Sequence, residues 1–517
     1  MRTGNFKNLS PSDTPHGQSD SGSHSPAGLA LQYAVGGTPA EVETGLPTAS
    51  SEITEDFQAA IEELRSAINV CQWQRYDHLQ RVMQSTVRHT NGWVCGETSL
   101  ASPHLGAKDL LACAERNALA VLKDAAQNER SHNARRTALP YSAEQFRAEV
   151  KRSPGKLRVG FLGRDFFNQA TSYLMVGMIE AHDRDTVEYI AYDYGAAADD
   201  ELRRRMKSAF DNFHVVQDLS NEDLATRIRS DGIDILLFLQ NPADARCGVL
   251  ALRPAPVQLA YLYYPGSFGA GLVDAIIADR VTIPPELEDK YSEGIIRLPH
   301  CYQPNDSSRI LPLRNARQSF GFPPDHFVLA NFGQPYKITP AMFDVWCSIL
   351  RQHPQTVLCL LAPEETVVDN LVREACKRGV TASRLFFQPV VSTELHISRL
   401  SCVDLMLDTY PYGAHTGTSD ALWAGTPVLT LIGETFASRV AASLLHEVAL
   451  DQLVATREQE YVAIATSLIE IPARLSSIKR HLVGKRHSFA LFDSRTYAST
   501  FERMLHQLAR EFWHPAD

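Results

Sequence analysis

Residues 408–431 place small residues, hydroxyls and a carboxylate where a phosphate group could bind. Their sequence is DTYPYGAHTGTSDALWAGTPVLTL. Asp408 ends an apolar run typical of a strand, and a turn rich in Pro and Gly leads to a predicted helix that opens at His415. The first turn of a helix has free backbone N–H groups and a partial positive charge, which bind anions. The segment therefore predicts a phosphate site, with Asp420 near a ribose hydroxyl, unless Thr and Ser merely cap the helix.

A second segment, NFGQPYKITP at residues 331–340, also lies between a strand-like run and a helical pattern. A lysine in such a turn, here Lys337, can neutralise the charge that develops on a departing diphosphate. Gln334 can assist as a neutral hydrogen-bond donor. The alternatives are a solvated loop lysine and a glutamine with a local hydrogen bond.

A third segment, VSTELHISR, brings His396 and Arg399 onto one face of a predicted helix, because they are three residues apart. Together they could frame a nucleotide base. The alternative is an ordinary amphipathic surface face, which the local sequence favours.

Strand-like runs alternate with helical patterns twice along the chain, from residue 157 and again from residue 327. Such alternation is typical of a parallel, doubly wound sheet. Two halves of similar size predict an α/β protein with two Rossmann-like lobes that face a cleft. The predicted helices of these halves cover residues 172–181, 199–210, 221–230, 340–352, 365–378, 393–401 and 416–424.

Five regions follow from the changes in composition and periodicity. Residues 1–52 are rich in Ser, Gly, Pro and Thr, so they are predicted to form a disordered tail. Residues 53–154 have helical periodicity and predict a small all-helical domain. The remaining regions are an N-terminal lobe at 155–308, a C-terminal lobe at 309–490 and a C-terminal helix at 491–517.

Composition excludes several classes of protein. The 517 residues have a formal net charge of -10, which argues against bulk electrostatic binding of nucleic acid or anionic membrane. No apolar run approaches the roughly 20 residues of a membrane span, and the first residues lack the apolar core of a secretory signal. The nine cysteines form no CxxC pair, so we expect neither a disulfide framework nor a zinc knuckle. A reducing, cytoplasmic setting is the expectation.

Several longer motifs, taken together, resemble the O-GlcNAc transferase / SPINDLY family of nucleotide-sugar glycosyltransferases, which is related to bacterial protein N-glycosyltransferases. The resemblance covers residues 157–505 in the family's order, with a weaker extension upstream to about residue 70 through CQWQRYDHL. The motifs are LRVGFLGRDF, ALRPAPVQLAYLYYPGSFG, VDAIIAD, YSEGIIRLPH, NFGQPYKITP, YGAHTGTSDALWAGTPVLTLIGETFASRVAASLL and LFDSRTYASTFERM.

The resemblance implies a GT-B architecture that holds the nucleotide-sugar mainly in the C-terminal lobe, and inverting transfer with no metal or other cofactor. Lys337 corresponds to the family's essential lysine on the donor diphosphate, and Gln334 to its neighbouring donor. The nucleotide-sugar-binding residues implied are His415, Thr416 and Gly417 for the diphosphate, Asp420 for the ribose, and His396, Arg399 and the backbone of Val391 for the base.

Departures from the family pattern concern the side of the sugar and the acceptor. Gln169 replaces the usual histidine of the D-F-x-x-H turn, and an amide cannot act as a general base. Residues 239–242, LQNP, replace the Asn-Gly-His/Tyr-Thr turn, and Tyr263 replaces a glycine. Tyr412 is bulkier than the residue found near the acetamido group in the animal enzymes.

We therefore expect a protein glycosyltransferase that moves a sugar, GlcNAc by preference, from a UDP-sugar to Ser or Thr hydroxyls. UDP-glucose or GDP-fucose as donor, and Asn as acceptor, stay open. A second hypothesis is a catalytically impaired nucleotide-sugar-binding protein whose helical N-terminal region recruits protein partners. A nucleotide-sugar epimerase is weaker, because no pair of catalytic carboxylates is evident. Nucleic acid is not an expected partner.

Overall fold

The computed structural model describes residues 51–131, 146, 155–196, 199–313 and 317–513. Residues 1–50 of the predicted disordered tail lie outside the described residues. The same holds for most of 132–154, the later part of the predicted helical domain. Among the described residues, no helix is both long and apolar enough to cross a bilayer.

The described residues divide into two compact units, each built around one parallel sheet. The first unit contains residues 111–306 together with the final helix from Ser494. The second contains residues 49–110 and 307–493. Two successive α/β halves were predicted, and each half provides the sheet of one unit.

The first unit has a seven-stranded sheet in the order β3-β2-β1-β4-β5-β6-β7. The inner strand β4 is fully buried and apolar, and β1 is buried except at Arg158, as expected of a parallel sheet covered by helices on both faces. The strands are β1 (Leu157–Gly163), β2 (Val187–Asp193), β3 (Asn212–Val215), β4 (Ile235–Phe238), β5 (Val257–Ala260), β6 (Ala275–Asp279) and β7 (Gly294–Leu298). Its helices are α5 (Ala170–Glu180), α6 (Glu201–Ala209), α7 (Asn221–Ser230), α8 (Cys247–Ala251) and α16 (Ser494–Trp513).

The second unit has a six-stranded sheet in the order β10-β9-β8-β11-β12-β13. The strands are β8 (Phe327–Asn331), β9 (Thr356–Leu361), β10 (Leu385–Gln388), β11 (Leu405–Leu407), β12 (Val428–Leu431) and β13 (Val454–Ala455). Its helices around the sheet are α9 (Pro340–Gln352), α10 (Glu365–Lys377), α11 (Thr393–Ser401), α12 (Thr416–Ala424), α13 (Val440–Glu447), α14 (Glu458–Glu470) and α15 (Pro472–Lys485).

The predicted helix bounds were most accurate where a capping residue and an apolar face indicate the same helix. The predicted bounds 221–230, 340–352, 393–401 and 416–424 coincide with α7, α9, α11 and α12. Three of these helices begin after a Ser or Thr whose side chain accepts from the first turn, namely Ser220, Thr339 and Ser392. Local sequence therefore fixes these boundaries.

The helices that precede the first sheet are shared between the two units. They are α1 (Ser51–Asn69), α2 (Tyr76–His89), α3 (Glu97–Leu100) and α4 (Ala107–Ser131). Residues up to Leu110 group with the second unit, and the rest of α4 groups with the first. A separate helical domain at 53–154 stays a prediction.

The turn between α1 and α2 packs against the second unit. Cys71 Sγ donates to the carbonyl oxygen of Pro335 at 3.5 Å, and Asn370 Nδ2 donates to the carbonyl oxygen of Val70 at 2.7 Å. Trp73 lies edge-on to Phe343, with ring centroids 5.5 Å apart. These contacts anchor the first helices beside the segment that contains Lys337.

Replacing Trp73 with alanine should strongly destabilise the protein. The indole is 9% exposed, and removing such a buried aromatic side chain costs about 3–5 kcal/mol. Chemical unfolding followed by circular dichroism measures this loss. The matched control is Trp93→Ala, since Trp93 is 39% exposed and should change the free energy of unfolding by no more than about 0.5 kcal/mol. Equal effects at the two positions would contradict the packing described above.

Candidate functional site

The candidate site lies at the carboxyl ends of β8 and β11 in the second unit. These two strands are neighbours, although β9 and β10 separate them in the chain, so the direction of strand order reverses between them. Ligands of open α/β sheets bind outside the carboxyl ends of the strands at such a reversal. The turn with Lys337 follows β8, and the segment 408–415 follows β11.

Lys337 connects these two segments directly. Its Nζ donates to the carbonyl oxygen of Gly413 at 2.8 Å and lies 3.7 Å from the centre of the Tyr412 ring. Gln334 is exposed, and its backbone oxygen accepts from the N–H of Lys337 at 3.0 Å. The structure therefore brings Lys337, Gln334 and Tyr412 together.

His415 occupies the cap position of α12, and Thr416 and Gly417 form the first residues of that helix. The His415 ring contacts Tyr412, with centroids 5.4 Å apart, and its Nε2 lies 3.4 Å from the carbonyl oxygen of Ala437. The helix N-terminus thus adjoins the side chain that contacts Lys337. A helix end and an ammonium group next to each other favour an anion.

The predicted base-binding and ribose-binding residues also form one cluster. Arg399 Nε lies 3.0 Å from His396 Nδ1, and its guanidinium lies 4.2 Å from the centre of the Phe332 ring. His396 Nε2 is 3.8 Å from Asp420 Oδ2, and the other oxygen of Asp420 accepts from Arg309. Arg399 is 3% exposed, which excludes the solvated surface face as its setting.

Val391 lies in the short connection between β10 and α11 and is half-buried. The preceding Pro389 accepts a hydrogen bond from Arg399 Nη1 at 2.8 Å through its carbonyl oxygen. The backbone of this connection therefore adjoins the arginine.

Burial dominates the electrostatics of the site. It lowers the pKa of His415 to about 3, with a further contribution from Lys337. It also lowers the pKa of His396 to about 3, with contributions from Arg399 and Arg309. Burial lowers the pKa of Lys337 to about 8, while Asp408 and Glu97 oppose that shift. Near neutral pH, both imidazoles are uncharged and Lys337 is positively charged.

Sequence reasoning did not assign Asp408 to the site. Its carboxylate is 2% exposed and accepts from the N–H groups of Thr409 and Ala414 at 2.8 and 2.7 Å. The sequence feature that could have assigned Asp408 to the site is a carboxylate directly after a buried parallel strand. Among the described residues, no group of three or more His, Cys, Asp and Glu side chains is arranged to hold a metal ion.

Gln169 and Tyr263, predicted for the acceptor side, belong to the first unit. Gln169 occupies the N-cap position of α5 without a capping hydrogen bond from its side chain and is exposed, while Tyr263 is half-buried and hydrogen-bonded to Arg164. At the reversal of strand order between β1 and β4, Gln240 Nε2 donates to Asp165 Oδ2 at 2.8 Å. Burial raises the pKa of Asp165. Sequence reasoning assigned no role to this pair.

Comparison with known protein families matches glycosyl transferase family 41 at residues 70–314 and 310–501. The chain belongs to this family. It is 33% identical over 380 residues to the probable UDP-N-acetylglucosamine–peptide N-acetylglucosaminyltransferase SEC of Arabidopsis thaliana, covering 72% of this chain and 39% of that protein. It is 30% identical over 341 residues to the corresponding SPINDLY protein of the same plant, covering 63% and 36%. The chain thus spans about two fifths of the length of these family members.

A solved structure of a mutant O-GlcNAc transferase from Thermobaculum terrenum superimposes with a TM-score of 0.70 at 24% identity. The match covers 89% of this chain and 85% of that one. It confirms the predicted fold class, GT-B with two Rossmann-like lobes, for this member of family 41.

The imidazoles of His396 and His415 should stay uncharged from about pH 5 to 8, because burial disfavours their protonation. Heteronuclear NMR of the histidine side chains, assigned with His396→Asn and His415→Asn, measures this directly. The unfolded chain binds these protons below about pH 6.5, so the stability linked to both groups is complete above that pH and is lost toward pH 3. A ring resonance that titrates with a midpoint between about 6 and 7 would contradict the assigned burial.

Proposed function

We propose that this family 41 protein transfers a sugar, GlcNAc by preference, from a UDP-sugar to Ser or Thr hydroxyls of proteins. The observation that carries this proposal is the ammonium group of Lys337, held at the reversal of strand order beside the N-terminus of α12. A compact cation next to a helix N-terminus suits a diphosphate. The relatives named for peptide N-acetylglucosaminyl transfer support the choice of donor and acceptor.

In the proposed reaction, the acceptor hydroxyl attacks the anomeric carbon as the bond from that carbon to the diphosphate oxygen breaks. The sugar configuration is inverted, and UDP leaves with the negative charge. Lys337 and the N–H groups of α12 stabilise that charge without a metal ion. His396 and Arg399 hold the base, with the backbone of Val391, while Asp420 holds the ribose.

Lys337→Met should lower the rate of transfer about 100-fold to 1,000-fold and weaken UDP binding, because it removes the charge opposite the leaving group. Turnover with UDP-GlcNAc, UDP-glucose and GDP-fucose, and a thermal-shift titration with UDP, measure the two effects. Lys377→Met is the matched control, since Lys377 pairs with Glu374 at the end of α10. A transfer rate that Lys337→Met leaves unchanged would remove this residue from the mechanism.

The same turnover and thermal-shift measurements distinguish a protein that transfers the sugar from one that only binds the nucleotide-sugar. The exposed Gln169, which cannot accept a proton, favours a protein that binds the nucleotide-sugar without turning it over. Stabilisation by UDP with no release of nucleotide from any of the three donors would support that second function.

For a working transferase, we propose Asp165 as the group that takes the acceptor proton. Burial raises its pKa, which makes the carboxylate a stronger base, and Gln240 holds one of its oxygens by a hydrogen bond of 2.8 Å. Asp165→Asn should reduce turnover about 100-fold or more, whereas UDP binding stays as in the wild type. Gln169→His is the comparison, because an added imidazole raises turnover only where proton removal limits the rate. Full activity of Asp165→Asn would exclude Asp165 as the base.

A further inference from the structure

We propose that Asp408 positions Lys337 and keeps it protonated, so that the donor site retains its positive charge in mildly alkaline solution. The inference rests on the proposed function, since it assigns Lys337 to the diphosphate. Asp408 itself lies beneath the loop and acts through Lys337, so we describe it as a positioning residue.

Hydrogen bonds to the side chain and the backbone fix Asp408 in the second unit. Thr430 Oγ1, on the adjacent strand β12, donates to Asp408 Oδ2 at 2.7 Å, and Oδ1 accepts from the backbone N–H groups of Thr409 and Ala414. The hydroxyl of Tyr461 donates to the backbone oxygen of Asp408 at 3.1 Å. The carboxylate thus holds both ends of the loop 409–414.

This loop provides the oxygen to which Lys337 is bound. A Cβ atom added at Gly413 would lie 3.0 Å from Asp408 Oδ2, so the loop backbone passes directly over the carboxylate. The carbonyl oxygen of the same glycine accepts from Lys337 Nζ at 2.8 Å. Lys337 and the carboxylate of Asp408 are therefore both next to Gly413, and changing one alters the surroundings of the other.

Charges near Lys337 come from several elements. Asp408 and Glu97 favour the ammonium, the Tyr412 ring presents its face to Nζ, and His415 is uncharged near neutral pH. Glu97 is exposed, whereas Asp408 is buried, so water screens the interaction with Glu97 more strongly. Burial lowers the pKa of Lys337 to about 8 and raises that of Asp408 to about 6. Near pH 7, both groups are therefore charged and each stabilises the other.

The decisive variant is Asp408→Asn, which keeps an acceptor for the two backbone N–H groups and removes the charge. Loss of a nearby opposite charge lowers the pKa of a lysine by about one unit or more, so Lys337 should lose its proton at lower pH. At about pH 8, we expect at least a fivefold loss of UDP affinity by calorimetry, with little change at about pH 6. Competitive labelling of lysines, read by mass spectrometry, measures the pKa of Lys337 without any nucleotide.

Two comparisons separate charge from shape. Asp404→Asn removes another buried carboxylate of the same unit, one that pairs with Lys479 at 3.4 Å and accepts from Val328 N at 2.9 Å. It should leave the pH dependence of UDP binding as in the wild type. Gly413→Ala crowds the carboxylate and should weaken UDP binding equally at all pH values. An Asp408→Asn variant that behaves like Gly413→Ala, with the labelling pKa of Lys337 unchanged, would overturn the proposal.

Should Asp408→Asn fail to fold, the reciprocal measurement is available. In Lys337→Met the carboxylate of Asp408 loses its cation, so its pKa rises and folding stability falls more steeply between about pH 6 and 8 than in the wild type. Identical pH profiles of thermal unfolding would refute the coupling. If UDP does not bind the wild type, the proposed function fails, while labelling still decides whether Asp408 controls Lys337.

Discussion

The contact between Lys337 and the carbonyl oxygen of Gly413 is the interaction on which the candidate site depends. It joins the segments that follow β8 and β11, and it places the ammonium group of Lys337 beside the start of α12. Partial burial disfavours the charged form of Lys337, and among the described residues its ammonium group forms no salt bridge with a carboxylate. Asp408, the Tyr412 ring and the Gly413 oxygen together compensate for the lost hydration.

The helices at the start of the chain contribute to the same arrangement. Cys71 and Trp73 secure the turn between α1 and α2 against residues 335–343, which include the Lys337 turn and the first residues of α9. Cys71 adopts a φ of 53°, a conformation that is uncommon for a side-chain-bearing residue and that persists only where packing enforces it. These helices are therefore structural parts of the second unit, whatever partners they contact.

The nucleotide end of the site is organised differently from the diphosphate end. His396, Arg399 and Phe332 form a cluster in which the guanidinium lies over the Phe332 ring and the imidazole meets that ring edge-on, and Asp420 is paired with Arg309. Such planar groups suit a base and its ribose, whereas the diphosphate end relies on one charge and a helix N-terminus. The pairing of Asp420 was not evident from sequence, since Arg309 is 111 residues away from it along the chain.

Sequence by itself determined the features that a few neighbouring residues encode. Helices α9, α11 and α12 have the predicted bounds, because caps and apolar periodicity act within one or two turns. The order of motifs also identified the family and its fold class. Tertiary structure alone decided which of these elements meet: Lys337 and Gly413 are 76 residues apart, and their contact follows from β8 and β11 being adjacent. Local patterns predict that strands form, but long-range packing sets the order of the strands in the sheet. That order determines where the ammonium group of Lys337 lies.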